Sequence, residues 1–359
     1  MKKNRQTLQI AMVFVGTVIG AGFASGAEIY TYFTRYGRLG FVGMGLAAGI
    51  FVLAAWGFLR MTWERGLTNF AQAAQLLMGE KAGTALDTVV TAFMFIGLGV
   101  MLAGTGAVFE QQWGIDPRVG AGLMAVLCFA SLCGGGRGVV AVNAVLGPVL
   151  IGGMLLLAFT AANEAWRETA RLAQEPLSLL QTARPSRLVP ALLSALIYAS
   201  YNMLSAGAVF AGLGDRLQSA GQARRTAFLG GAVLAILIFA VGLATFLNYD
   251  TIETVPVPAL AILRNYPVRQ NLYILVLVGA MLTTAVSDGF GVLRRLEGVG
   301  GFPRWLWSLI ISVGALAVSG FGFGRLVEQG YLIFGCIGLG QLAALFYYCI
   351  KRTGGAGRR

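Results

Sequence analysis

Histidine is absent from all 359 residues. That excludes an imidazole proton relay and any His-ligated metal centre. Charge is the second scarcity: 12% Asp, Glu, Lys and Arg, where soluble domains carry about 25%. The four cysteines, Cys128, Cys133, Cys336 and Cys349, sit in apolar stretches without a CxxC spacing, which excludes zinc and thioredoxin-like chemistry. They read instead as small buried hydrophobes. What fills the space is 57% apolar residues and a mean hydropathy of +0.74. Too little polar surface remains to cover a water-soluble globule. A cytosolic enzyme, a disordered chain and a disulfide-stapled domain are all excluded, and the chain reads as an integral membrane protein. Its 51 glycines suit helices that pack closely in a bilayer.

Runs of about 20 apolar residues cross the hydrocarbon core as helices. Ten such runs occur, at 7–34, 39–62, 84–111, 118–134, 138–162, 188–213, 223–248, 270–293, 304–321 and 326–350. None alternates as a barrel strand would, so the expected fold class is an all-α membrane bundle. Seventeen of the 27 Lys and Arg fall in segments on the N-terminal side of the bilayer and ten opposite. The positive-inside bias therefore puts both termini in the cytoplasm, in the cell membrane. The net charge of +12 is this bias plus affinity for anionic lipid, and no basic soluble segment exists to bind nucleic acid. MKKNR with the apolar run behind it imitates a leader. The helix resumes through Ile29–Phe33, however, and cleavage would leave nine spans, so the segment is read as retained.

Three connections are long. Residues 64–81 form an amphipathic cytoplasmic segment and 163–187 an external spacer. In 250–269, Pro256 and Pro258 predict a short external helix. The spacer splits the spans five and five. Because five is odd, the second half runs inverted, as in many secondary transporters. The whole chain, 1–359, is then one transmembrane domain with repeats at about 7–162 and 188–350. The first span of each half should be interrupted.

Span one reads GTVIGAGFASGAEI, Gly16 to Ile29, with glycines at 16, 20, 22 and 26. Span six reads YASYNMLSAGAVFAGLG, Tyr198 to Gly214, with Asn202, Ser205 and Gly207 at mid-membrane depth. Unwound backbone at that depth needs a cavity or protein around it, so two breaks predict a central binding site. The competing reading is ordinary close packing at small residues and Asn or Ser bonding across helices. Glu28 is the ionisable residue near the middle of span one and a functional candidate by default. Ser25–Glu28 is also a capping box that would restart the helix at Ser25. In span eight, AMLTTAVSDGFG places the hydroxyls of Thr283 and Thr284 together, with Asp288 one turn further toward the cytoplasm. Carbonyls freed by the span-one break plus two hydroxyls make an oxygen set for sodium. The alternative is that the threonines bond back to their own helix. Asp288 reads as an ion-pathway residue below that site, or as the partner of a cytoplasmic-side Arg.

GTVIGAGFASGAEIYTYF resembles the first-span signature of the YkvI-type permeases, a branch of the amino acid–polyamine–organocation superfamily with the LeuT-type five-plus-five inverted repeat. The resemblance covers the chain in length and span count. It implies broken first and sixth helices and alternating access by rocking of spans one, two, six and seven against the rest. It also implies a sodium site built by the Gly16 and Ile19 carbonyls, the Ala280 carbonyl and the Thr283 and Thr284 hydroxyls. Some proton-coupled relatives carry a Lys in span five; here that span has Asn143 and no Lys, which favours sodium. The local string FASG lacks the Asn of a second sodium site. Substrate contacts would come from the backbone of Ala21, Gly22 and Phe23, from Glu28, and from Tyr198, Ser200, Tyr201, Asn202 and Ser205. The expected activity is sodium-coupled symport of a small zwitterionic or polar solute, an amino acid above all. The alternatives are a proton-coupled permease and a non-transporting ligand sensor of the same fold. An enzyme has no acid pair, Ser–His pair or metal cluster to support it.

Overall fold

A computed structural model describes residues 2–134, 149–163, 188–296 and 301–356. The first half of span five, with Asn143, and nearly all of the 163–187 spacer lie outside the described residues. The described chain is nearly all helix. In order the helices are α1 (Lys2–Val18), α2 (Ala21–Ala24), α3 (Ala27–Tyr32), α4 (Leu39–Arg65), α5 (Phe70–Met78), α6 (Glu80–Trp113), α7 (Pro117–Gly134) and α8 (Val149–Asn163). They continue with α9 (Leu188–Ala211), α10 (Ala220–Leu247), α11 (Tyr249–Ile252), α12 (Pro258–Ile262), α13 (Pro267–Leu296), α14 (Arg304–Ser319), α15 (Phe323–Arg325) and α16 (Tyr331–Ala356), with a π-turn over Leu326–Gly330. Seven helices are long and apolar enough to cross a membrane, and shorter apolar helices occupy Gln6–Val18, Val149–Asn163 and Arg304–Ser319. The 27 residues of α4, at about 1.5 Å each, exceed a ~30 Å hydrocarbon core.

Two packed groups emerge. In one, α4 lies between α9 and α10, and α1 packs on α10 and α9. In the other, α6 is flanked by α7, α13 and α14. Glycines set the spacing within each group. A side chain at Gly231 of α10 would strike Val52 of α4, and one at Gly99 of α6 would strike Val318 of α14. Lipid tails are as apolar as the side chains, so this close approach and its dispersion contacts hold the helices together. The same bilayer logic explains the cysteines. Cys128 is buried, Cys133 and Cys349 are half-buried, and Cys336 is exposed. The expectation of four buried cysteines is corrected: an apolar run can as well face lipid.

The predicted helix in 250–269 forms as α12, with Pro258 in its first turn. It belongs to the core rather than the surface: Val257, Ala259 and Leu263 are fully buried. Gln111 of α6 holds it by donating to the Val257 carbonyl and accepting from the Val257 N–H, both at 3.0 Å. The cytoplasmic-side segment 64–81 contains α5, whose start is capped by Asn69 accepting from the Gln72 N–H.

The sixth-span interruption does not form. Helix α9 runs unbroken from Leu188 to Ala211, which corrects the expectation of a broken sixth helix. Its polar side chains spend their hydrogen bonds on keeping it intact. The Asn202 amide donates to the Tyr198 carbonyl at 2.9 Å. The Ser200 hydroxyl donates toward the carbonyls of Ile197 and of Gly335 on α16. Gly207 faces Phe58 and Gln341 at distances that leave no room for a side chain, so its role is close packing.

Candidate functional site

Span one breaks twice. Helix α1 ends because the Gly20 N–H turns to the Val18 carbonyl at 3.1 Å, with Gly20 itself extended (φ −99°, ψ −170°). The Gly16 carbonyl thereby loses its helical partner. The Ile19 carbonyl and the N–H groups of Ala21, Gly22 and Phe23 also lack one, because α2 starts its own ladder at Gly20. The second break falls at Ser25–Gly26, where Gly26 takes the left-handed φ of 81°. Any other residue there would cost about 1–2 kcal/mol.

The two breaks differ in how their carbonyls are treated. At the second, protein takes them: the Tyr273 hydroxyl of α13 donates to the Ala24 carbonyl at 2.5 Å, and the Ala259 N–H of α12 to the Ser25 carbonyl at 2.9 Å. At the first, among the described residues, no group donates to the carbonyls of Gly16 or Ile19. Buried backbone groups are nearly always paired, so this is the break with room for a ligand.

Thr284 of α13 lies beside it, its methyl 3.9 Å from where a side chain at Gly20 would begin. Thr283 is buried, and its hydroxyl donates to the Ala280 carbonyl at 2.9 Å. That is the back-bond weighed as the alternative, and it leaves both oxygens their remaining lone pairs. Asp288, one turn on, sets its carboxylate against Gly97 of α6, where a side chain would meet Oδ2 at 2.5 Å. The expected Arg partner is not there. Arg295 instead pairs with Asp87 at 2.5 Å, and Arg294 lies over the Phe290 ring.

The capping box is also corrected. The Ser25 hydroxyl accepts from the Ala27 N–H at 3.2 Å and donates to the Gly22 carbonyl at 3.0 Å. The cap of α3 is Gly26, without a side-chain bond. Because the Ser25 N–H is already taken by the Ala21 carbonyl, Glu28 has nothing to cap. Its carboxylate folds back over Gly22, whose missing side chain would stand 2.2 Å from Oε1.

Around that carboxylate the helices bring together Tyr198 and Tyr201 of α9, Tyr32 of α3 and Tyr331 of α16, all within its electrostatic reach. The rings pack on one another. Centroids are 5.6 Å apart for Tyr32–Tyr201 and Tyr198–Tyr201 and 4.7 Å for Tyr201–Tyr331. Phe93 of α6 closes the box, 5.9 Å from Tyr331. Glu28 is 3% exposed, yet its Oε2 and the hydroxyls of Tyr198 and Tyr201 have no hydrogen-bond partner. The Tyr201 hydroxyl faces the carboxylate without completing a bond. Leaving such groups unpaired costs about 1–3 kcal/mol each.

Of the expected solute contacts, Glu28, Tyr198 and Tyr201 converge with Gly22. Asn202 and Ser205 share their helix stripe, and Ser200 turns away toward α16. Ala21 and Phe23 are buried in α2. Tyr32, Phe93, Tyr331 and Gly97 went unanticipated. Tyr32 was legible, since it stands four residues after Glu28 on the same helix face. One end of the box is shut by the Tyr32 hydroxyl donating to the Val327 carbonyl at 3.3 Å and by Arg35–Glu328 at 3.1 Å.

No family model matches the sequence. Two Bacillus subtilis (strain 168) proteins are similar along their length. The membrane protein YkvI is 28% identical over 342 residues, covering 94% of each chain. YyaD is 26% identical over 361 residues, 96% of this chain and 98% of that one. Among solved structures, MhsT in complex with L-phenylalanine matches with a TM-score of 0.64 at 15% identity, over 93% of this chain and 87% of its own. Mhp1 in an inward-facing conformation matches at 0.64 and 13%, over 97% and 77%. A substrate-bound, outward-open Na+-coupled sialic acid symporter matches at 0.59 and 16%, over 94% and 77%. These folds belong to membrane transporters and not to enzymes. The chain is a multi-pass membrane protein homologous to YkvI and YyaD, built on the LeuT-type fold.

Proposed function

We propose that the chain is a secondary active transporter that moves a small zwitterionic or polar solute, an amino acid above all, with sodium. The observation that carries this reading is the first break of span one. Its unpaired carbonyls at Gly16 and Ile19 lie on the side of Thr284, and its short helix α2 leads directly to the Glu28–tyrosine box. Sodium takes its oxygens from Gly16, Ile19, Ala280, Thr283 and Thr284. The solute lies against Ala21, Gly22 and Phe23, Glu28, and the stripe of α9 from Tyr198 to Ser205. Asp288 lines the ion's way to the cytoplasm.

The ten apolar runs make one transmembrane domain, arranged as inverted repeats with both termini in the cytoplasm. The group α1, α4, α9 and α10 rocks against the group α6, α7, α13 and α14, and their separate packing supports that division. A specific observation also favours a second reading, proton coupling: Glu28 and Asp288 are intramembrane acids with no salt-bridge partner among the described residues.

Reconstitution in proteoliposomes tests the proposal. Vesicles are offered a mixture of the 20 amino acids under an inward sodium gradient or an inward proton gradient, with mass-spectrometric readout. Accumulation driven by sodium is the expected result. Accumulation under the proton gradient alone selects the second reading. No flux under either gradient with ligand binding intact makes the chain a sensor.

A further inference from the structure

We infer that the Glu28 box is an ammonium subsite, so that the solute carries a cationic amine which Glu28 neutralises. The inference rests on reading this cluster as the solute site, and it narrows the solute from "small and polar" to amines and amino acids whose nitrogen is charged. Three side-chain groups converge with nothing to bond: Glu28 Oε2 and the hydroxyls of Tyr198 and Tyr201, on residues 3%, 0% and 2% exposed. A carboxylate and two phenol oxygens are acceptors facing one point, and a neutral or anionic guest would leave the carboxylate unmatched. An ammonium brings three donors and the missing positive charge.

The walls fit the same guest. The rings of Tyr32, Tyr201, Tyr331 and Phe93 present π-faces and edges around the carboxylate, and aromatic faces hold cations by their quadrupole. No cation of the chain does this work. Arg35, at the outer end, is committed to Glu328 and to the Tyr36 hydroxyl. Glu28 forms no ion pair among the described residues. Gly22 is what lets the carboxylate fold into the box, since a side chain there would collide with Oε1.

The full chain, purified in detergent, is titrated with matched probes while thermal unfolding is followed. The series are phenethylamine, 2-phenylethanol and 3-phenylpropanoate; butylamine, butanol and butyrate; and L-phenylalanine with its deaminated analogue. The expected result is a dose-dependent rise in Tm with at least one amine and none with its neutral or anionic isostere. In Glu28→Gln that response weakens at least 10-fold with the basal Tm kept. Should Glu28→Gln fail to fold, Tyr201→Phe carries the test: the ring remains, the hydroxyl goes, and affinity falls several-fold. The inference is overturned if no amine stabilises the chain, if neutral isosteres do so equally, or if Glu28→Gln responds like wild type. Amine binding without flux in vesicles would sink the transporter reading and leave this one standing. Flux of solutes lacking an amine, unaffected by Glu28→Gln, would do the reverse.

Discussion

At the scale of single residues, the site depends on atoms that are missing as much as on those present. Gly22→Ala should favour α2 intrinsically, since Ala is about 1 kcal/mol better than Gly in a helix. Its methyl would nevertheless occupy the place where Glu28 Oε1 rests. We expect Gly22→Ala to keep the unfolding temperature within a few degrees while lowering solute uptake at least 10-fold; uptake at wild-type level would show that the carboxylate need not sit there. Thr284→Ala removes one hydroxyl beside the first break and should raise the sodium concentration for half-maximal uptake by 10-fold or more. An unchanged sodium dependence would remove Thr284 from the ion site. Glu28 itself was legible as an intramembrane acid. Its surroundings were not, because Tyr198, Tyr201 and Tyr331 come from helices some 170 to 300 residues away and carry no local signal. Asp288 taught the same lesson, since Gly97, which makes its seat, lies on α6.

At the scale of elements, the sequence was readable where backbone chemistry dictates and misleading where side chains had a choice. Four glycines within eleven residues predicted a broken first span, and it breaks at Ile19–Gly20 and again at Ser25–Gly26. Pro258 predicted the start of α12. The polar cluster in span six also looked like a break, yet Asn202 and Ser200 found carbonyls to bond and α9 stayed whole. Ser25-x-x-Glu28 had the letters of a capping box, but the left-handed Gly26 resets the helix start at Ala27. Helix α12 is the element that seals the second break, through Ala259 and the Gln111 clamp. Gln111→Ala should cost about 1–3 kcal/mol, since it strands the Val257 N–H and carbonyl. It should also speed hydrogen exchange at 249–263 more than in α4. Uniform exchange across both would mean that the clamp does not hold this segment.

At the scale of the whole molecule, the described helices form two groups with the span-one break at their seam, next to α13. One end of the seam is closed by Arg35–Glu328, whose side chains are 37% and 57% exposed. A pair this exposed adds little to stability, about 0–1 kcal/mol, so its importance lies in which conformation it favours. Arg35→Ala should leave the Tm nearly unchanged. Spin labels at Arg38→Cys and Gln329→Cys, in a background without the four native cysteines, should show a longer and broader distance once Arg35 is removed; an unaltered distribution would deny the pair a gating role. Everything converges on one claim: an ion and a solute share the first break of span one, and their binding drives transport. The most direct test is 22Na+ entry into proteoliposomes with and without an amino acid mixture outside. The account expects entry stimulated several-fold by the mixture in wild type and not in Thr284→Ala. Sodium entry indifferent to both the mixture and the substitution would contradict it.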